Sequence, residues 1–512
     1  MGAALCVAIR VDASAVIGTG HLKRCLSLVM ALIEQGAQVS LVTRALDGVA
    51  AQVLRDAPCP VRWLPAPTHA LAPDSTATPH AAWAGVSWQQ DAHDTASALR
   101  TERPDWLVVD HYAFDARWHG ALRDSLASCL LVMDDTADRT LSPDALLDHN
   151  WAPDHRAKYA DRLTQKPDWL AGPRYALLSP TYRSAERYRY QADVRSIGIF
   201  MGGTDPGGVS GRVLAACRVA GFAGSIEVVS TSASPHLHEL RNACTQDPCV
   251  VLTLDEPDLA AFFARHDLQI GAGGGASWER CCIGAPTIAI AVAANQAAVV
   301  PGLATLGAVR AATEATLPRT LRELIHDPSA RRSLSSTAAA LVDGRGAQRV
   351  ALHLLRGTLR LRPANLADAP LLHAWRNHEA VRAVSGNSEP IAFDSHQAWM
   401  QRTLQSPDRW LWVAQVGDLP VGSIRFDQLA PDRLEVSLYT DPQLQGLGLG
   451  ARLLRAGEQQ MRDSLTTPFT VDASVLAGNT ASRKLFEGNG YHGGPLRYQK
   501  SVGAADSDRH HP

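Results

Sequence analysis

Long apolar segments are missing from this sequence: no apolar run approaches 18 residues, and no basic segment followed by an apolar signal core opens the N-terminus. Neither a membrane-spanning helix nor a secretion signal is expected, and we predict a cytoplasmic protein. An excess of one charge is missing too, since the formal net charge is −2. This balance gives no electrostatic reason to expect nucleic acid or an anionic membrane as a partner.

A cysteine framework is also lacking. The nine cysteines are scattered, only Cys281 and Cys282 are adjacent, and no C-x-x-C pair or Cys/His cluster has metal-ligand spacing. We therefore expect reduced thiols and no bound metal. The 512 residues, 46% hydrophobic and 20% charged, are too many for one core, so two to four globular domains are expected. No pattern indicates an oligomeric state.

The first segment, residues 1–185, alternates apolar runs with helical patterns. Strands are predicted at 5–11, 39–43, 105–110 and 129–133, and each ends at polar residues. Such strands, separated by helices, are typical of a parallel sheet with functional groups at its carboxyl edge. We therefore predict a Rossmann-like domain here.

The loop between the first strand and the first helix holds the strongest local signal. Gly18-Thr19-Gly20 leads into His21 at the start of a helical pattern. Open α/β sheets bind ligands at such loops, and helix N-termini attract phosphate. The positive end of the helix favours a neutral histidine, as a general base requires, although a lone histidine is more often structural.

A second α/β unit follows a charged linker at 183–195. Its predicted domain covers 196–345, and glycine clusters at 202–208 and 271–275 each follow a strand and precede a helix. One such cluster can be an ordinary tight turn, but three clusters in two successive sheets favour a sugar nucleotide held in a cleft between two domains. Backbone amides would bind its diphosphate, and Glu279 would bind the ribose or simply stabilise its helix. The predicted UDP-binding residues are Gly202, Gly203, Thr204, Gly274, Ser277 and Glu279.

Taken in order, these motifs resemble a known family over about residues 5–345. They are Asp12-Ala13-Ser14, Ile17 to His21 with Arg24, Asp110-His111-Tyr112, Asp134-Asp135, Gly202 to Asp205, and Asn295-Gln296. The set resembles the PseG-type UDP-sugar hydrolases of pseudaminic acid biosynthesis, which have a two-domain GT-B fold. The resemblance implies hydrolysis of UDP-2,4-diacetamido-2,4,6-trideoxy-β-L-altropyranose to UDP and the free sugar.

The same resemblance implies roles for individual residues. His21 matches the base that activates water, and Asn295 would face the sugar-diphosphate end of the cleft. The residues themselves, apart from the resemblance, suggest further roles: Asp12 is either a carboxylate that orients His21 or a hydrogen-bonding strand end, while His111 and Tyr112 either line the cleft or cap a strand. The remaining predicted substrate-binding residues are Gly18, Gly20, Arg24 and Gln296.

The third segment, about 358–500, carries a motif of its own. Gln445, Gly446, Gly448 and Gly450 follow the strand at 433–440 and open a helix, where successive amides cradle a pyrophosphate. With Asn479 and the sequence around it, this motif resembles the GNAT N-acetyltransferases, which implies that these five residues bind acetyl-CoA as a cosubstrate.

The sequence indicates only some of the catalytic groups of this third domain. Glu435 is the candidate for deprotonating the acceptor amine, the alternative being a surface charge on an alternating strand. Phe486 stands where many GNAT members have a tyrosine that protonates the leaving thiolate. Three alternatives are left for this step: Tyr491 protonates the thiolate, solvent protonates it, or the thiolate departs unprotonated. The tail at 503–512 is expected to be disordered.

The sequence therefore predicts an α/β chain with two Rossmann-like domains in a GT-B arrangement, followed by a C-terminal α/β GNAT domain. The leading hypothesis is a bifunctional enzyme that hydrolyses the UDP-sugar above. Its GNAT domain would acetylate the 4-amino group of the precursor UDP-4-amino-4,6-dideoxy-N-acetyl-β-L-altrosamine. A GT-B glycosyltransferase and a sugar-nucleotide-binding protein with a degenerate acetyltransferase domain are the alternatives.

Overall fold

The computed structural model describes residues 4–69, 76–203, 205–293, 296–465, 467–494 and 496–502. Thr204, Asn295 and the tail at 503–512, for which the sequence made predictions, lie outside the described residues. The chain divides into two compact units, one of residues 1–34 and 38–350 and the other of 35–37 and 351–512.

The first sheet is parallel throughout and has the strand order β3-β2-β1-β4-β5-β6-β7. Chain order reverses between β1 and β4, so a crevice opens at the carboxyl ends of these two strands. The strands are β1 (Cys6–Val11), β2 (Gln38–Arg44), β3 (Val61–Leu64), β4 (Trp106–Asp110), β5 (Cys129–Met133), β6 (Ala145–Asp148) and β7 (Asp168–Ala171). The helices are α1 (Gly20–Glu34), α2 (Val49–Val53), α3 (Trp88–Leu99), α4 (Ala116–Leu126), α5 (His155–Lys158) and α6 (Thr181–Ser184).

Burial explains the start of this sheet. β1 is an unbroken apolar run apart from Arg10, and its residues from Val7 onward are fully buried, as expected for a strand covered on both faces. α1 buries Leu22, Cys25 and Val29 at helical spacing against the sheet. This packing fixes where α1 begins, and therefore where its first residues stand above the sheet edge.

The second sheet, in the same unit, is also parallel, with the order β10-β9-β8-β11-β12-β13. Here the order reverses between β8 and β11, which precede the two glycine clusters at 202–208 and 271–275. The strands are β8 (Ser196–Phe200), β9 (Ser225–Ser230), β10 (Val250–Leu254), β11 (Leu268–Ala272), β12 (Thr287–Ile290) and β13 (Arg310–Ala312). The helices are α7 (Val209–Val219), α8 (Leu237–Thr245), α9 (Ala260–Arg265), α10 (Ala276–Ile283), α11 (Val299–Thr305), α12 (Leu317–Ile325), α13 (Pro328–Leu341) and α14 (Gly346–Leu355).

The third sheet, in the second unit, is mixed and has the order β14-β15-β16-β17-β18-β20-β19. Its pairs are antiparallel except for β17 with β18, which are parallel. The strands are β14 (Arg360–Pro363), β15 (Arg409–Val416), β16 (Leu419–Ala430), β17 (Arg433–Thr440), β18 (Phe469–Val475), β19 (His492–Gly494) and β20 (Leu496–Val502). The helices are α15 (Ala369–Asn377), α16 (Glu379–Arg382), α17 (Phe393–Gln405), α18 (Leu449–Ser464) and α19 (Thr480–Glu487).

The α/β class and the two successive parallel sheets are as predicted from the sequence. None of the helices in the described ranges combines the length and the apolar character needed to cross a membrane.

Candidate functional site

The first candidate site lies at the crevice between β1 and β4. The loop after β1 turns at Gly18, whose φ of +79° suits glycine and strains other residues. Its amide donates a hydrogen bond of 2.7 Å to the Ser14 carbonyl, which closes the turn. The closed turn brings His21 to the first turn of α1, above the end of β4.

His21 is held by a buried carboxylate at the end of β4. Its Nδ1 lies 2.7 Å from Oδ1 of Asp110, which is fully buried. Arg24, one helical turn further along α1, donates to both Asp110 oxygens at 2.6 and 2.5 Å. Burial raises the pKa of Asp110, but the charges of Arg24 and His21 outweigh it and hold this pKa well below its usual range. Asp110 is therefore ionised.

An ionised carboxylate can only accept hydrogen bonds, so Nδ1 of His21 carries the proton that fills the 2.7 Å contact. A nitrogen of Arg24 also lies 3.2 Å from Nδ1, but it has Asp110 as a closer acceptor. In the neutral ring, the other nitrogen of His21, Nε2, then carries the lone pair. A histidine oriented in this way is suited to accept a proton from water.

Aromatic side chains surround this histidine. The ring of Tyr112 meets the His21 ring edge-on with centroids 4.7 Å apart, and the ring of Trp83 does so at 5.9 Å. The Tyr112 hydroxyl donates to Asp135, which also accepts a hydrogen bond of 2.7 Å from the Asn150 side chain. Tyr112, for which two roles were predicted, therefore lines the site and contacts the histidine.

Asp12 does not orient His21, contrary to one of its two predicted roles. Its carboxylate is fully buried, pairs with Arg10 at 2.5 Å and accepts the Arg44 backbone amide at 2.7 Å. His111 is buried in the same network, with Nε2 3.2 Å from Asp12. In the structure Asp110 makes the orienting contact, because the Asp12 carboxylate is already paired with charged residues beneath the sheet edge.

The glycine cluster after β8 is shaped by Gly202, whose φ is +106°. Thr231 donates a hydrogen bond of 2.5 Å to the Gly203 carbonyl. The first amides of α7, those of Val209 and Ser210, already bind the Asp205 carboxylate at 2.9 and 2.8 Å. A phosphate cannot use these two amides while Asp205 caps the helix.

Two predicted ligand-binding residues, Ser277 on α10 and Gln296 after β12, have structural roles instead. Ser277 is 1% exposed, and its hydroxyl lies between the Ala272 carbonyl and Arg280. The side-chain oxygen of Gln296 accepts the amides of Gly273 and Val292 at 3.1 and 3.0 Å. Ligand contacts at these positions are corrected accordingly: Ser277 offers none, and Gln296 retains only its amide nitrogen.

Glu279 stands in the first turn of α10, as predicted. Burial raises the pKa of its carboxyl, whereas the charge of Lys23 on α1 and a hydrogen bond with Tyr182 lower it. Lys23 lies on α1, the helix after β1, so a charge on that helix acts on Glu279 at the start of α10.

His149 is a member of this site that the sequence predictions missed. It follows β6, is 8% exposed, and meets the ring of Trp278 on α10 edge-on at 6.4 Å. Burial, and then the charge of Arg24, lower its pKa to about 4. A signal was available, because Asp148-His149 ends an apolar run in the same way as Asp110-His111 does.

The second candidate site lies in the second unit, after β17. Gly446 and Gly448 have φ values of +84° and +73°, so the loop needs glycine at both positions. Gly450 follows in the first turn of α18. The side-chain oxygen of Asn479 caps α19 by accepting the Ser482 amide at 3.0 Å, so one of its two lone pairs is already used.

The predicted base of this second site, Glu435, accepts a hydrogen bond of 2.8 Å from Ser474. Tyr491, one of the candidate acids, is 1% exposed and donates its hydroxyl to Glu458 at 2.9 Å. Burial and the charge of Glu458 raise the pKa of Tyr491 far above its usual value. Tyr491 packs against Phe486 in the core and is not an accessible proton donor.

These features define an α/β protein with two Rossmann-like sheets and a C-terminal acetyltransferase fold. The family model described as "Acetyltransferase (GNAT) domain" matches residues 358–492, so the predicted GNAT domain is confirmed. The fold class predicted from the sequence is confirmed with it.

A curated relative is the spore coat polysaccharide biosynthesis protein SpsG of Bacillus subtilis, 30% identical over 188 residues. The match covers 35% of this chain and 56% of SpsG, so the chain spans just over half of that relative. Among solved structures, MurG of Acinetobacter baumannii is 13% identical, with a TM-score of 0.47, over 68% of this chain and 98% of MurG. Spermidine N-acetyltransferase of Vibrio cholerae, solved with CoA and spermine, is 16% identical, with a TM-score of 0.25, over 28% of this chain and 94% of that chain.

Proposed function

We propose that residues 1–350 hydrolyse a UDP-sugar with water activated by His21. The observation that carries this proposal is the 2.7 Å contact between Nδ1 of His21 and the buried, ionised Asp110, which Arg24 holds through two hydrogen bonds. This arrangement leaves Nε2 of His21 as a proton acceptor at a ligand-binding sheet edge.

The reaction is a displacement at the anomeric carbon. Nε2 takes a proton from water, the water oxygen forms a bond to the anomeric carbon, and the bond from that carbon to the UDP oxygen breaks with inversion. The proton stays on His21, whose positive charge is balanced by Asp110. A positioned general base contributes roughly 10²- to 10⁴-fold to such a rate.

The nucleotide is proposed to bind on the second sheet, in a GT-B arrangement of the two sheets around the sugar. Amides around Gly203 and Gly274 would contact the diphosphate, and Glu279 would accept the ribose hydroxyls. Asn295 is proposed to contact the sugar near the diphosphate. The charge of Lys23, which lies on the same helix as His21, acts on Glu279, and this supports a nucleotide lying beside the His21 crevice.

The substrate we propose is UDP-2,4-diacetamido-2,4,6-trideoxy-β-L-altropyranose. Support comes from the order of motifs, which resembles that of the PseG-type hydrolases, and from the relative SpsG, a spore coat polysaccharide biosynthesis protein. The GNAT domain is proposed to use acetyl-CoA to acetylate the 4-amino group of the precursor UDP-4-amino-4,6-dideoxy-N-acetyl-β-L-altrosamine. The product of the acetyltransferase would then be the substrate of the hydrolase.

The proposal is tested by following UDP release from the diacetamido sugar nucleotide with the full-length protein. His21→Ala should abolish release, whereas His238→Ala, which removes an exposed histidine of α8, should leave it unchanged. Release by His21→Ala at the parental rate would remove the assigned base. Adding acetyl-CoA and the 4-amino precursor should give the acetylated nucleotide first and the free diacetamido sugar after it.

A further inference from the structure

The parallel pair β17 and β18 separates at Glu435. The two strands pair from Arg433 with Thr470 to Glu435 with Asp472, and their register goes no further. Beyond this point lies Ser474 on β18, an exposed residue whose hydroxyl donates to Glu435 at 2.8 Å. A hydrogen-bonded hydroxyl and carboxylate therefore stand where the sheet opens.

The neighbours of Glu435 across the sheet have counter-charges of their own. Asp427, opposite it on β16, pairs with Arg425 at 2.8 Å, and Asp472 pairs with Arg433 at 2.7 Å. Within the described ranges no ion pair is found for Glu435, and Ser474 supplies its hydrogen bond. Within those ranges, the Glu435 carboxylate is thus held by a neutral hydroxyl and not by an arginine.

The opening between the strands is of the length that acetyl-CoA needs. From Thr440, beside the glycine loop, back to Glu435 there are five residues, or about 17 Å of extended strand. The pantetheine arm, when extended from a pyrophosphate on the loop, has a comparable reach. Because β17 lacks its β18 partner over 436–440, its backbone can hydrogen-bond this arm as an added strand would. The thioester of an arm bound in this way would lie beside Glu435 and Ser474.

Two of the three tyrosines of this unit already donate their hydroxyl protons to carboxylates. Residues 351–512 contain three tyrosines: Tyr439, Tyr491 and Tyr498. Tyr491 donates to Glu458, and Tyr498 donates to Glu487 at 3.1 Å. Tyr439 has a hydrogen bond with Ser423, and burial raises its pKa to about 12.

We propose that Ser474 is the general acid of acetyl transfer and forms a proton relay with Glu435. The acceptor nitrogen bonds to the thioester carbonyl carbon, and the carbon–sulfur bond then breaks. Glu435 takes the proton that the nitrogen loses. Ser474 gives its hydroxyl proton to the departing sulfur and receives the proton held by Glu435, so the products are the amide and CoA thiol. This inference rests on the proposed use of acetyl-CoA and not on the identity of the acceptor.

The direct test measures the thiol pKa of bound CoA, with no acceptor present. CoA labelled with carbon-13 next to sulfur is titrated by NMR in complex with the full-length protein. Because a hydroxyl that donates to sulfur favours the thiolate, Ser474→Ala should raise this pKa by about one unit relative to the parent. Ser474→Thr, which keeps the hydroxyl, and Ser464→Ala, at an exposed site on α18, should give the parental value. An equal pKa in the parent and Ser474→Ala would overturn the relay.

A second test uses acetyl transfer to the 4-amino UDP-sugar. Ser474→Ala should lower kcat at least tenfold with little change in the KM for acetyl-CoA, and Glu435→Gln should lower it further. The double variant should be no slower than Glu435→Gln, because both residues act on one proton path. If the losses in kcat of the two single variants multiply in the double variant, the relay is contradicted. If this acceptor is not used, the proposed sugar substrate fails while the CoA titration still decides on Ser474; failure of CoA to bind would overturn the relay.

Discussion

Asp110, the last residue of β4, accepts a hydrogen bond of 2.7 Å from His21, which stands 89 residues before it in the chain. The same carboxylate is bound twice by Arg24. A base, its orienting carboxylate and the arginine that fixes that carboxylate therefore come together at the point where the first sheet reverses its strand order.

Replacing Asp110 by Asn should slow UDP release by about 10²- to 10⁴-fold at an almost unchanged KM. The amide no longer balances the charge that His21 acquires, and it can favour the wrong tautomer. Steady-state kinetics of the variant provide the measurement. Circular dichroism and the thermal midpoint are its controls, since a buried ion pair is also lost, and a folded variant with parental kcat would contradict the positioning role.

The loop before His21 offers a matched pair of glycine variants. A Cβ added at Gly18 or at Gly20 would meet no neighbouring atom, but only Gly18 has a positive φ, of +79°. Gly18→Ala should therefore lower the free energy of unfolding by about 1 kcal/mol, whereas Gly20→Ala should change it by much less. Denaturant unfolding of both variants tests this, and equal losses would show that backbone strain does not set the turn.

His149 should make the protein less stable in mild acid. Its pKa of about 4 in the fold is below the ordinary histidine value of about 6.5, so the unfolded chain binds this proton first. Stability from the neutral ring is fully present above about pH 6.5 and is lost as the pH falls towards 4. The contribution reaches about 3 kcal/mol across that window.

His149→Gln tests this directly. The loss of unfolding free energy between pH 7 and pH 4 should be about 3 kcal/mol smaller in this variant than in the parent. His238→Gln, at the exposed position on α8, should keep the parental pH dependence. If His149→Gln shows the parental acid sensitivity, the histidine is not held neutral against Trp278.

Tyr491→Phe separates stability from catalysis in the GNAT domain. The variant leaves Glu458, which is 1% exposed, without the hydroxyl that donates to it. We expect a loss of about 1.5–3 kcal/mol in unfolding free energy, because hydrogen bonds to buried charges are the strong ones. The rate of acetyl transfer below the melting range should stay within about twofold. A large fall in kcat without a change in stability would instead make Tyr491 the acid.

Regular elements with strong patterns were predictable from sequence. β5 and β17 have the predicted bounds, because each is a short run of strand-forming residues flanked by polar or turn residues. The short strands β6 and β7 were not predicted. At four residues each they have too little periodicity, and they form because neighbouring strands supply their hydrogen bonds.

The sequence predicted which loops form the site, but not which side chains hydrogen-bond to one another there. The glycine turn located His21, yet two carboxylates at strand ends, Asp12 and Asp110, were equally placed to orient it. Only packing decides between them, since Arg10 and Arg44 engage Asp12 beneath the edge. The ligand contact predicted for Ser277 is wrong for a related reason: the position of Ser277 along its helix turns the side chain into the core, towards Arg280.

Hydrolysis in oxygen-18 water tests the central claim most directly. The parent protein, given the diacetamido UDP-sugar, should release unlabelled UDP and a free sugar that carries one solvent oxygen at its anomeric carbon, with inverted configuration. His21→Ala should form almost none of this product. Label in UDP, a retained configuration, or an undiminished rate in His21→Ala would contradict water activation by His21 at the anomeric carbon.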